Sequence, residues 1–101
     1  MMKYKDILEA KELLGLPERA SMDEIKSSYR RLISLWHPDR CREDKDRCEE
    51  MTRKIITAYG IIVSYCEEYK YSFAEEEVKR YLSAEEWWFE KFGSDPLWGK
   101  P

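Results

Sequence analysis

A chain of 101 residues can form one domain around one modest core. It is 43% hydrophobic, 14% aromatic and 39% charged, a balance too rich in apolar and aromatic residues for intrinsic disorder. No apolar run approaches the roughly 18 residues that span a bilayer. The opening "MMKYKDILEA" lacks the form of a secretory signal, so a soluble, cytoplasmic protein without membrane contact is expected.

The formal net charge of −3 is unevenly spread. Residues 21–42 hold five basic and three acidic side chains, whereas residues 43–50 hold five acidic and two basic, and residues 67–101 nine acidic and five basic. A nucleic-acid binder carries a broader positive surface, so that function is disfavoured. One short basic face suits an acidic protein partner, where charge steers encounter and sets register.

In chain order, Ile7, Ala10 and Leu14 recur at helical spacing from Tyr4 to Leu14, with Leu13 widening the stripe and Gly15 supplying a stop. "GLPERA" is a connection. The next helix begins at "SMDE": Ser21 is an N-cap and Glu24 completes a capping box, while Asp23 and Glu24 suit the helix dipole. Ile25, Tyr29, Leu32, Ile33 and Trp36 follow as one apolar face, with Lys26, Arg30 and Arg31 largely off it. Pro38 disfavours helical geometry at His37 and ends the helix, leaving "HPDRCREDK" as an exposed polar loop.

A third helix is expected from about Asp46 to Tyr65, with Met51, Ile55, Ala58, Ile62 and Tyr65 on its buried face. "IITAYGIIVSY" is rich in β-branched residues and competes as a strand, but strict alternation is missing and the helical rhythm continues on both sides. Gly60 costs this helix about 1 kcal/mol relative to alanine. These elements predict an all-α fold, a long antiparallel helical hairpin with a short helix in front. Beyond Tyr71, "SFAEEEVKRYL" and "SAEEWWFEKFG" read as two short helices, the second with a capping box of Ser83 and Glu86. Phe73, Tyr81, Trp87, Trp88, Phe92 and Trp98 are too apolar to leave together in water. They are expected to pack on the three-helix unit, so that deleting residues 72–101 destabilises it. The competing reading is a docking surface for a further protein, through Trp87, Trp88 and Trp98.

Cys41, Cys48 and Cys66 leave one cysteine unpaired in any disulfide scheme and contain no C-x-x-C. Cys41 and Cys48 with His37 make a weak zinc set, because a structural site needs four ligands. Ordinary intracellular thiols and no cofactor are the expectation. His37, the one histidine, has a bland reading as a ring stacked at the core edge beside Trp36. A catalytic pair of His37 and Asp39 fares poorly, with no nucleophile in a recognisable motif. Arg30 and Arg31 have a bland reading as a solvated face.

The tract "LLGLPERASMDEIKSSYRRLISLWHPDR", followed by a helix containing "ITAYGII", resembles the J domain of DnaJ-type co-chaperones over residues 4–71. The resemblance implies a non-enzymatic, small stand-alone monomer that binds a DnaK-type chaperone of the heat shock protein 70 family and stimulates its ATP hydrolysis. By that resemblance, stimulation depends on His37, Pro38 and Asp39, with Arg40 beside them. Lys26, Tyr29, Arg30 and Arg31 match the docking face of the second helix. Residues 72–101 would be an extension. The alternative is a J-like binding module whose tryptophan-rich tail recruits a partner, with little stimulation. Two departures stand out: Leu35 where the family often carries lysine, and Thr52 where an aromatic is common, with Met51 beside it to fill the space. The glycine/phenylalanine-rich linker, cysteine-repeat zinc module and β-rich client-binding domains of full DnaJ proteins have no counterpart in these residues, so direct client holding is not expected.

Overall fold

A computed structural model describes residues 3–82 and Glu86. It contains four helices in chain order, α1 (Tyr4–Leu14), α2 (Met22–Trp36), α3 (Lys45–Glu68) and α4 (Glu75–Lys79), and no strand among the described residues. The β-branched run of α3 is helical throughout, because its apolar positions recur at helical rather than alternating spacing.

The ends of the helices follow from local chemistry. Gly15 takes the left-handed conformation (φ 68°) after α1, and the Gly15 and Leu16 amides donate to the Glu12 and Lys11 carbonyls at 3.1 and 3.0 Å. This closes orphan carbonyls in the manner that a residue without Cβ permits. The expected capping box opens α2: Ser21 Oγ accepts from the Glu24 amide at 3.2 Å, and Glu24 Oε1 from the Ser21 amide at 2.7 Å. His37, ahead of Pro38, is extended (φ −56°, ψ 133°) and stops that helix at Trp36. Asp44 caps α3 by accepting from the Arg47 amide at 3.0 Å, which starts the helix one residue before the expected Asp46.

The chain divides into two compact units, Met1–Tyr69 and Lys70–Pro101. In the first, Ala10 and Leu14 of α1, Ile25 of α2, and Ile55, Ala58 and Ile62 of α3 form one buried cluster. Ile7, Leu13, Tyr29, Leu32, Ile33, Trp36 and Tyr59 pack around it. Each large aliphatic side chain fully removed from water contributes about 1.5–3 kcal/mol, so Leu14 and Ile55 are principal anchors. The α2–α3 pair is antiparallel. Trp36, at the end of α2, meets Thr52 early in α3, whereas the Tyr29 ring stacks at 4.0 Å on that of Tyr59, two turns further along.

One expectation needs correction. Tyr65 is exposed and meets the Tyr69 ring edge-on, while Cys48 and Cys66 extend the apolar face of α3 instead. In the second unit Phe73 is 87% exposed and Tyr81 is also exposed. Trp87, Trp88, Phe92, Trp98, Ser83 and the second of the expected short helices lie outside the described residues. Among the described residues no helix is long and apolar enough to cross a membrane.

Candidate functional site

The loop from His37 to Asp44 begins as a tight turn. The Arg40 and Cys41 amides donate to the His37 carbonyl at 2.8 and 2.9 Å, folding the chain back immediately after Pro38. Inside this turn the Asp39 amide donates to His37 Nδ1 at 3.2 Å. The imidazole thus satisfies a loop donor, a role distinct from stacking on the core edge. The Asp39 carboxylate, 3.9 Å from the same ring nitrogen, is 88% exposed, and the His37 side chain is 50% exposed. An ionised carboxylate is therefore held outward by a turn whose shape is fixed by backbone bonds, a proline and one histidine.

The loop is also tied sideways. Arg40 Nη1 donates to Ser34 Oγ at 3.3 Å, fastening the far side of the turn to α2. Thr52 Oγ1 donates to the Trp36 carbonyl at 3.0 Å, so α3 satisfies an orphan acceptor at the end of α2. The Arg47 guanidinium lies over the Trp36 ring, 5.6 Å from its centre. Thr52 replaces a packing group by a hydrogen bond, and Met51 is part-buried beside it.

Tyr29, Arg30, Ile33, Ser34, His37, Asp39 and Arg40 line one shallow depression of about 390 Å³. Five of the eight site residues expected from the sequence are thus brought together. Pro38 lies in the same turn without lining the depression, and Lys26 and Arg31 sit on α2 outside it. Tyr29 is half-buried, its ring on Tyr59, while Lys26, Arg30 and Arg31 are exposed and form no ion pair among the described residues. Their charges are uncompensated by ion pairing within the described residues. Leu35, at the position of the family's lysine, is 60% exposed. Ser34 and Arg47 went unnoticed in the sequence and Thr52 showed only as a departure, because Ser34 is reached from the folded turn and the other two act across the hairpin.

The cysteines depart from expectation. Cys41 and Cys48 are joined by a disulfide, with Cα atoms 6.4 Å apart, rather than remaining ordinary thiols. The turn at His37 and the cap at Asp44 bring the two together across the charged segment 42–47. The two sulfurs of the weak zinc set are bonded to each other, and among the described residues no group of three or more His, Cys, Asp or Glu is arranged to hold a metal ion. Cys66 is outside the disulfide, and burial, with the Glu67 carboxylate second, pushes its thiol above the ordinary range.

Comparison with known proteins agrees with this geometry. A family model of the DnaJ domain matches residues 3–71. The chain is 47% identical over 51 residues to the chaperone protein DnaJ 2 of Aquifex aeolicus, covering 50% of this chain and 13% of that protein. It is 41% identical over 51 residues to the chaperone protein DnaJ of Thermotoga maritima, covering 50% and 14%. It is 37% identical over 51 residues to the DnaJ homolog subfamily B member 6 of Gallus gallus, covering 50% and 16%. The match therefore spans a small fraction of each relative's length. No solved structure matches the chain.

Proposed function

The chain belongs to the DnaJ domain family, and from that premise we propose that it is a co-chaperone that docks on a DnaK-type chaperone of the heat shock protein 70 family and stimulates its ATP hydrolysis. The observation that carries the reading is the Asp39 carboxylate, 88% exposed at the tip of a turn internally bonded to His37. An exposed carboxylate accepts a bidentate pair from an arginine of the partner, a bond shorter and stronger than a neutral one. Because Pro38, the His37 bonds and the Cys41–Cys48 bond together hold the turn, little ordering is left to do on docking.

Lys26, Arg30 and Arg31 bring the α2 face to an acidic surface, and Tyr29 offers its polar edge there while its ring stays on Tyr59. ATP is bound and hydrolysed by the partner. In this reading the chain supplies a surface and no reacting group, and the segment 4–71 is the active module with 72–101 an extension.

The test is single-turnover ATP hydrolysis by a DnaK-type chaperone with the full chain and with His37→Gln and Asp39→Asn. Stimulation by the parent that is lost in both variants is expected. No stimulation by the parent across several such chaperones overturns the proposal and leaves a binding module acting through its tryptophans.

A further inference from the structure

The disulfide sits where it can govern the site. Cys41 closes the turn that presents Asp39, its amide bound to the His37 carbonyl, whereas Cys48 lies in the first turn of α3, its amide bound to the Asp44 carbonyl at 3.1 Å. The sulfur–sulfur bond thus fastens the Asp39 turn to buried Cys48 in the first turn of α3. Between the two anchored ends, Arg42 and Glu43 make no backbone–backbone hydrogen bond among the described residues. The segment's shape consequently depends on the cross-link. Cys41 is partly accessible, whereas Cys48 is 0% exposed, so a reagent from solvent meets one sulfur first.

We propose that Cys41 and Cys48 are a reversible dithiol–disulfide pair, oxidised by low-molecular-weight disulfides and reduced by the matching thiols, that locks or frees the segment Arg40–Asp44 and through it the Asp39 turn. In the oxidising direction the Cys41 thiolate attacks one sulfur of R–S–S–R and expels RS⁻. The Cys48 thiolate then attacks Cys41 Sγ in that mixed disulfide, forming the internal bond and expelling the second RS⁻. The protein loses two electrons and two protons, and R–S–S–R becomes two RSH. In the reducing direction RS⁻ attacks the accessible Cys41 Sγ and expels the Cys48 thiolate, and a second RS⁻ then attacks the R sulfur of the mixed disulfide, releasing the Cys41 thiolate and R–S–S–R; the two thiolates take up two protons. The Glu43 carbonyl lies 3.6 Å from Cys48 Sγ and 3.8 Å from Cys41 Sγ, so both reduced thiols have an acceptor and the turn loosens without losing its fold. The effect on chaperone stimulation rests on the function proposed above, but the effect on the loop does not.

The full chain is equilibrated in a series of oxidised and reduced glutathione mixtures, blocked with N-ethylmaleimide and weighed, and hydrogen exchange is followed in the end states and in C41S/C48S. The expected result is one blocked thiol, Cys66, under oxidation and three under reduction, interconverting in both directions. Reduction is expected to speed exchange of the Arg40–Asp44 amides at least about fivefold with Ile55–Ile62 unchanged, and C41S/C48S to match the reduced form in either mixture. Failure of the internal bond to form, accumulation of glutathione adducts in its place, or equal exchange in the two states overturns the proposal. ATPase stimulation measured in both states separates the two readings. A severalfold difference that C41S/C48S abolishes supports the switch, and equal stimulation by both states removes its link to Asp39. If neither state stimulates, the co-chaperone reading fails and the exchange data alone decide the switch.

Discussion

Asp39 and Thr52 act on opposite sides of His37, one toward solvent and one toward the core. The Asp39 side chain is 88% exposed, so Asp39→Asn should leave stability within about 0.5 kcal/mol of the parent, as a surface change does. A coincident thermal melt would therefore assign any lost stimulation to the site itself. Thr52→Val keeps the shape of the side chain and removes the only atom that donates to the Trp36 carbonyl from α3. A part-buried acceptor left unsatisfied costs about 1 kcal/mol, which in a domain of this size lowers Tm by about 4–8 °C. Thr52→Ser should recover most of the loss, and a valine variant melting with the parent would show that the bond contributes nothing. The helix stop at His37 and Pro38 and the exposed loop after it were legible in the sequence because a local turn uses neighbours only, whereas the roles of His37, Pro38 and Asp39 came from the family resemblance. Thr52 was legible merely as a missing aromatic, since its partner lies sixteen residues away and meets it only after α2 and α3 have docked.

Along α3 the sequence pattern and the helix part company by a single residue. The spacing from Met51 to Tyr65 follows a 3.5-residue rhythm, which drifts against a straight helix by about 20° per seven residues. Cys48 and Cys66 stand eighteen residues apart, five turns at about 3.6 residues each, and both lie on the core side. Tyr65, about 100° round from Cys66, turns to solvent. Starts and stops were better encoded, because Ser21, Glu24, Gly15 and Pro38 act through their own backbone neighbours. Gly60 remains a weak point inside the longest helix. It is exposed, carries no positive φ, and a Cβ placed there meets nothing within 4 Å. Gly60→Ala should therefore stabilise the protein by about 0.5–1 kcal/mol, by withdrawing conformational freedom from the unfolded chain. Chemical denaturation is the check: a raised midpoint with an unchanged slope is expected, and a lowered midpoint would reveal a steric conflict that the helix surface does not display.

For the whole molecule, charge and docking are separable in a way that salt reveals. The formal net charge is −3, so bulk attraction between this chain and an acidic surface is not available, and encounter depends on the local excess of positive charge between residues 21 and 42. That excess was legible by counting. Its presentation required the fold, which leaves Lys26, Arg30 and Arg31 exposed and without an ion pair among the described residues, while Arg40 is bonded back to Ser34. The cysteine pair was the least legible feature, because a C-x₆-C spacing carries no pairing rule until the turn and the Asp44 cap set the two Cα atoms 6.4 Å apart. Charges on one exposed helix face are screened over about 10 Å at 0.1 M salt. Raising salt should thus weaken half-maximal stimulation of a DnaK-type chaperone while leaving the rate at saturation near its low-salt value, since the proposed Asp39 contact would form after encounter. Lys26→Ala combined with Arg31→Ala should flatten that salt slope without changing the saturated rate, whereas Asp39→Asn should abolish the saturated rate at every salt concentration. A salt slope that survives the double substitution would place the steering charge elsewhere than α2.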